Sequence, residues 1–181
     1  MCLFKNKKNP SSLKIPARQE AFSFERIPST YEEFFSLPEW ERKDSFASAA
    51  LVALSLLVYR KDPALAFRLL AALKAPGSLS NLERSFIEER LSERKDYKPY
   101  SYFVGALPNN DYTPSYPLMI IVKANEQSFA EEGYATLYLT SSGASSPRPL
   151  RLRERTDGSW ALDEQFLLGD IVPPQKENPW A

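Results

Sequence analysis

Hydroxyls, a glycine and an arginine stand together in Ser141-Ser142-Gly143-Ala144-Ser145-Ser146-Pro147-Arg148. Such a loop can hold an anion, with backbone amides and hydroxyls donating and the guanidinium supplying charge. The same composition suits a plain connection between strands, with Arg148 pairing to a local acid. Just beyond it, Arg151, Arg153 and Arg155 alternate with other residues. Alternation on a strand puts all three guanidinium groups on one face. There they meet phosphate, an acidic protein or a nucleic-acid backbone, or they line a solvated face and pair with Asp163 across a hairpin. Rings gather in a third stretch: Tyr97, Tyr100, Tyr102, Phe103, Tyr112 and Tyr116, among prolines and Asn109-Asn110. Exposed, they suit a peptide, a sugar or stacked bases; turned inward, they pin an irregular segment to the core. The fourth candidate is the tail from Pro173-Pro174 to Asn178-Pro179-Trp180-Ala181. Trp180 either docks in a groove of its own domain or is offered to a partner. The binding candidates are therefore Tyr100, Tyr102, Asn110, Tyr112, Ser142, Arg148, Arg151, Arg153 and Trp180. No catalytic residue, metal ligand or cofactor site is assigned.

The missing residue types narrow the chemistry. There is no histidine, which removes Ser-His-Asp and Cys-His catalysis and imidazole metal ligands. The single cysteine, Cys2, allows neither an intrachain disulfide nor a thiolate zinc site. No GxGxxG, GxxxxGK[ST] or GxSxG motif occurs. Carboxylate chemistry survives, but Glu32-Glu33, Glu88-Glu89 and Glu131-Glu132 are adjacent pairs. Sequence neighbours point different ways on a helix or strand, so these read as solvated surface acids.

Composition agrees with a globular domain. The chain has 181 residues, 43% hydrophobic and 25% charged, with 23 basic and 23 acidic side chains. That length usually makes one domain, and zero net charge argues against a general nucleic-acid binder. Lys5, Lys7 and Lys8 are followed by polar residues rather than an apolar segment, so no secretory signal is read and a cytoplasmic location is expected. Cys2 beside basic residues is a possible acylation point, or a free thiol on a mobile terminus. The longest apolar run, Phe46 to Tyr59, is too short for the about 20 residues a membrane span needs. It reads as a buried core helix.

The elements that must position these residues follow from punctuation. Residues 1–27 read as a flexible basic arm, with a short docked strand possible where Phe22 and Phe24 alternate with polar residues. Thr30 with Glu33 has capping-box spacing, and a short helix follows until Pro38 interrupts it. A second helix runs from Trp40 or Asp44 to Arg60, apolar around nearly its whole circumference. Asp62 caps a third helix with Pro63 in its favoured first position, and Pro76-Gly77 ends it. Ser80 with Glu83 starts a fourth, with Phe86, Ile87 and Leu91 inward. After Lys95, strands are expected at Ser101–Ala106, Leu118–Lys123, Tyr134–Ser141, Pro149–Arg155 and Ser159–Glu164. A three-residue loop, Thr156-Asp157-Gly158, with Gly158 left-handed, aligns Leu150 and Leu152 with Trp160 and Leu162 and turns the arginines to the other face. The fold class is α+β: about four helices packed on an antiparallel sheet of four to five strands. The domain spans 28–181, helical over 28–96 and β over 97–172, with a tail at 173–181.

Four stretches carry a resemblance: YKPYSYFVGALPNNDYTPSYP, SSGASSPRP, W-x-L-x-E-Q-x-L-L from Trp160, and the closing PWA. Together they resemble a family of uncharacterised bacterial proteins defined only as a domain of unknown function, over most of the chain after Thr30. In that family the loop usually has an acid where this chain has Ser145, so any binding role of that acid is absent here. The resemblance points to Tyr100, Tyr102, Asn110, Tyr112, Arg148, Trp160 and Trp180 and implies no activity, substrate or cofactor. The function expected from all of this is a non-enzymatic intracellular domain that binds a protein or peptide partner. The alternative is a small-molecule or catalytic pocket between helices and a curved sheet, and a further one is single-stranded nucleic-acid binding.

Overall fold

The computed structural model describes residues 17–75 and 77–177. Capping residues set the helix starts. Thr30 Oγ1 accepts the Glu33 N–H at 3.1 Å and opens α1 (Tyr31–Phe35). The Glu33 carboxylate reaches back to Ser29 rather than Thr30, accepting from its N–H at 2.8 Å and its hydroxyl at 2.9 Å. Pro38 stops one helix and begins another, α2 (Pro38–Arg42), because a proline at the first position loses no hydrogen bond. Asp44 caps α3 (Ser45–Val58) and Asp62 caps α4 (Pro63–Leu73), each through the amide three residues on. Ser80 and Glu83 form a reciprocal capping box at the start of α5 (Asn81–Leu91).

Five antiparallel strands form one sheet in sequential order: β1 (Arg18–Phe24), β2 (Leu118–Ala124), β3 (Tyr134–Leu139), β4 (Arg148–Glu154) and β5 (Trp160–Gln165). The protein is therefore α+β, with the helices preceding four of the five strands. β1 takes residues 18–24 out of the flexible arm expected over 1–27 and is the short docked strand that Phe22 and Phe24 allow. Phe22 and Phe24 are buried, and Phe22 pairs with Ile120 of β2. The alternation of two rings outweighs the polar surroundings because both rings reach the core face.

The strand expected at Ser101–Ala106 is a second correction. Residues Lys98–Tyr102 form a 3-10 helix with Pro99 in its first turn, and Phe103 makes only an isolated bridge to Ile120. Proline fixes the helical φ and removes a ladder donor at the point where a strand would begin.

The β4–β5 hairpin has the expected three-residue loop. Arg155 N–H donates to Ser159 C=O at 2.7 Å, and Gly158 has φ +80°. Leu152 pairs with Leu162, and a bulge follows between Arg151 and Leu152. Past the bulge the pairing resumes, with Arg151 opposite Glu164 and Leu150 opposite Gln165.

One face of the sheet is covered by α3, which touches all five strands. Every residue of α3 is buried. Leu137, Leu150 and Leu152 beneath it are fully buried, each stabilising the fold by about 1.5–3 kcal/mol. Its serines are satisfied: Ser48 Oγ donates to Trp160 C=O at 2.9 Å and Ser55 Oγ to Leu51 C=O at 2.8 Å. Among the described residues no helix is long and apolar enough to cross a membrane.

Candidate functional site

The aromatic stretch turns inward. Tyr100 and Tyr102 are each 5% exposed and Tyr112 is 0% exposed. The hydroxyl of Tyr97 donates to Ile171 C=O at 3.1 Å, that of Tyr102 to Leu167 C=O at 2.6 Å, and that of Tyr112 to Val172 C=O at 2.6 Å. Lys98 Nζ donates to Leu168 C=O at 3.1 Å. Arg148 Nη2 donates to Asp170 C=O at 3.0 Å rather than to the acid side chain expected for it. These side chains clamp the carbonyls of 167–172, an irregular segment with no ladder of its own; buried carbonyls need such donors. Tyr100 is more loosely held, 3.5 Å from Leu57 C=O, with the Arg60 guanidinium 4.1 Å above its ring. Burial pushes the Tyr112 hydroxyl up to about 12 and raises that of Tyr102 as well. Both remain neutral donors at physiological pH.

The serine-rich loop completes this clamp. Ser142 Oγ donates to Ala106 C=O at 2.6 Å and Ser141 Oγ to Ser101 Oγ at 2.7 Å. A Cβ on Gly143 would fall on the Tyr112 hydroxyl and lie 2.8 Å from Ile171 Cγ2. That glycine is needed for close approach. Asn110 holds its own turn, accepting from Leu107 N–H at 2.8 Å and donating to Gly105 C=O at 2.7 Å. Tyr102, Tyr112, Ser142 and Arg148 thus converge, but on the protein's own backbone.

The arginine row divides. Arg151 pairs with Glu131 at 3.0 Å and with Asp163 at 3.2 Å, its Nε–H not aligned on the latter. Its guanidinium lies 4.2 Å from the Tyr134 ring centre, and that of exposed Arg153 lies 5.7 Å away. Arg155 folds back to Lys74 C=O at 3.3 Å. Arg151 and Arg153 line the sheet face opposite α3, stacked on Tyr134. Trp160 is half-buried, edge-on to Phe129. Trp180 lies outside the described residues.

An open apolar groove lies elsewhere, between α5 and the end of β5. Its volume is about 530 Å³, against about 190 and 300 Å³ for two smaller hollows. Leu70, Leu79, Ile87 and Leu162 floor it, and Leu82, Phe86 and Phe166 rim it. Those rim residues are 80%, 38% and 51% exposed respectively, so Phe86 does not face the core as expected. Lys74 crosses the floor, tied to Glu83 at 2.6 Å and to Asp163 C=O at 2.6 Å. Burial alone would raise the Glu83 carboxyl; the bonds from Lys74 and Ser80 bring it below its ordinary value. The first half of the β5 edge is already taken. Trp160 N–H donates to Lys43 C=O at 3.0 Å, and Leu162 is bridged to Lys74.

The family model described as Domain of unknown function (DUF6935) matches residues 26–175. The chain belongs to this family. The match to DUF6935 takes in the clamp and the groove and begins after β1. No curated protein and no solved structure matches the chain.

Sequence reasoning missed the groove in this DUF6935 protein. The one local signal is Leu82 and Phe86, four residues apart on α5 and hence on one side of the helix. Their exposure beside Leu162 and Phe166 is set by how α5 sits against β5, which no local pattern encodes.

Proposed function

We propose that this domain binds a partner protein, receiving the apolar face of a partner helix in the groove between α5 and β5. The observation that carries this reading is the groove itself: an apolar floor with Leu82, Phe86 and Phe166 exposed at its rim. Isolated surface apolar residues are ordinary, but apolar side chains gathered around a concave floor mark an interaction site. With the β5 edge taken from Trp160 to Asp163, too little free edge is left for an added strand, and recognition runs through side chains, as in helix-in-groove binding. Neutral tyrosines committed to backbone carbonyls speak for a structural role of the aromatic stretch.

The test is a titration. A labelled peptide selected from a random display library on the full chain is added to wild type and to Leu82→Asp. An acid in the first turn of α5 suits the helix dipole, so the variant keeps its fold. Binding is expected to weaken by about tenfold or more. Equal binding by the two proteins would contradict the reading.

A further inference from the structure

Resting on the groove as the partner site, we propose that it reads the polarity of its occupant: an apolar helix with a basic residue beside Glu164 and a carboxylate beside Arg90. The groove has two chemically different ends. At one, Lys74 joins Glu83 to Leu162 and Asp163. Glu83, Asp163 and Glu164 are among the residues that line the groove, and the bond from Lys74 to the Asp163 carbonyl keeps residues 163 and 164 at this end. Glu83 is taken by Lys74 and Asp163 by Arg151. Glu164 is exposed and makes no ion pair among the described residues.

Arg90 stands seven residues, about two turns, along α5 from Glu83 and so beyond the other end. The Arg90 guanidinium lies 5.2 Å from the centre of the Phe86 ring, on the groove's rim. Its Nε is buried without a hydrogen-bond partner, and Arg90 makes no ion pair among the described residues. Behind it Lys98, only 7% exposed, holds its charge against a single carbonyl, Leu168 C=O. Burial first, then the nearby Arg90 and Lys95, lower the Lys98 pKa, with Asp170 opposing them. Lys95 already leans on Glu93 at 3.4 Å. Cations gathered this closely repel one another, and a carboxylate arriving at Arg90 relieves that repulsion. Lys98 is too buried to touch the occupant and acts through its field. An apolar helix with the opposite charge order places its acid against Glu164 and its base against Arg90, which disfavours the reversed orientation.

Display selection tests this on the full chain. Random peptides of about 11 residues, roughly three helical turns, are selected in parallel on wild type, Leu82→Asp, Arg90→Gln and Glu164→Gln. The wild-type pool should carry apolar residues at helical spacing, acids toward one end and bases toward the other. Arg90→Gln should lose the acid preference alone, and Glu164→Gln the base preference alone. The leading wild-type peptide should bind Arg90→Gln about tenfold more weakly and recover on Arg90→Lys. Helical apolar spacing that depends on Leu82 but shows no charge order would overturn the polarity and leave the groove standing. Pools that are the same for wild type and Leu82→Asp would overturn both. Glu164 is exposed and outside the core, so its variant reads the polarity even where Arg90→Gln unfolds.

Discussion

Tyr112 is wholly buried with its hydroxyl on Val172 C=O at 2.6 Å, whereas Leu82 at the mouth of the groove is 80% exposed. One is a polar aromatic in a stretch of unusual composition; the other is a leucine on an ordinary helix. The difference teaches where this fold spends its distinctive chemistry. Residues 167–172 run without a strand partner, so their carbonyls need donors, and tyrosine, lysine and arginine supply them. The groove needs no distinctive residue, because apolar contact is non-directional and is set by shape.

The comparison is broken most sharply at Gly143. Gly143→Ala puts a methyl on the Tyr112 hydroxyl and against Ile171. Overpacking of this kind costs about 1–3 kcal/mol or more; urea unfolding should show the loss. Tyr102→Phe and Tyr112→Phe come next. Tyr102→Phe strands the carbonyl of buried Leu167, at a cost of about 1–3 kcal/mol; Tyr112→Phe loses a part-buried bond to Val172, at about 0.5–1.5 kcal/mol, both read by urea unfolding.

Alkali tests the same clamp more gently. The Tyr112 hydroxyl ionises at an ordinary 10.0 in the unfolded chain and at about 12 when folded. The folded state then holds the proton more tightly. The stabilisation is fully present below pH 10.0 and is lost as pH rises toward 12. Lys98 acts in the opposite sense, its lowered pKa adding stability as pH rises toward 10.5. Stability followed across this range should fall, and fall less steeply in Tyr112→Phe. The smallest effect belongs to Arg151→Ala. Its pairs with Glu131 and Asp163 are about one-third exposed or more, and exposed pairs contribute about 0–1 kcal/mol. Loss of more than that on unfolding would show that the outer sheet face carries stability now assigned to the clamp.

Much of this fold was legible in the residues. Asp44, Asp62 and Ser80 mark helix starts because their side chains answer a local need. The register around Gly158 follows from burying Leu150, Leu152 and Leu162 together. β1 was half-visible, since Phe22 and Phe24 alternate but sit in polar company. Ser101–Ala106 misled because Tyr102 and Phe103 serve as pegs rather than strand surface. For the site, composition drew the eye to Tyr100, Tyr102, Tyr112, Ser142 and Arg148, whose partners are backbone atoms 22 to 65 residues away. Such pairings are tertiary, and no local spacing announces them. Leu82, Phe86 and Phe166 were ordinary in sequence and become a rim only through the packing of α5 beside β5.

The most direct test measures stability and peptide binding together in Leu82→Asp and Tyr112→Phe. Leu82→Asp should keep its urea midpoint and lose the selected peptide, while Tyr112→Phe should lose stability and, where folded, bind as wild type does. A folded Tyr112→Phe that has lost the peptide, beside a Leu82→Asp that retains it, would contradict the account.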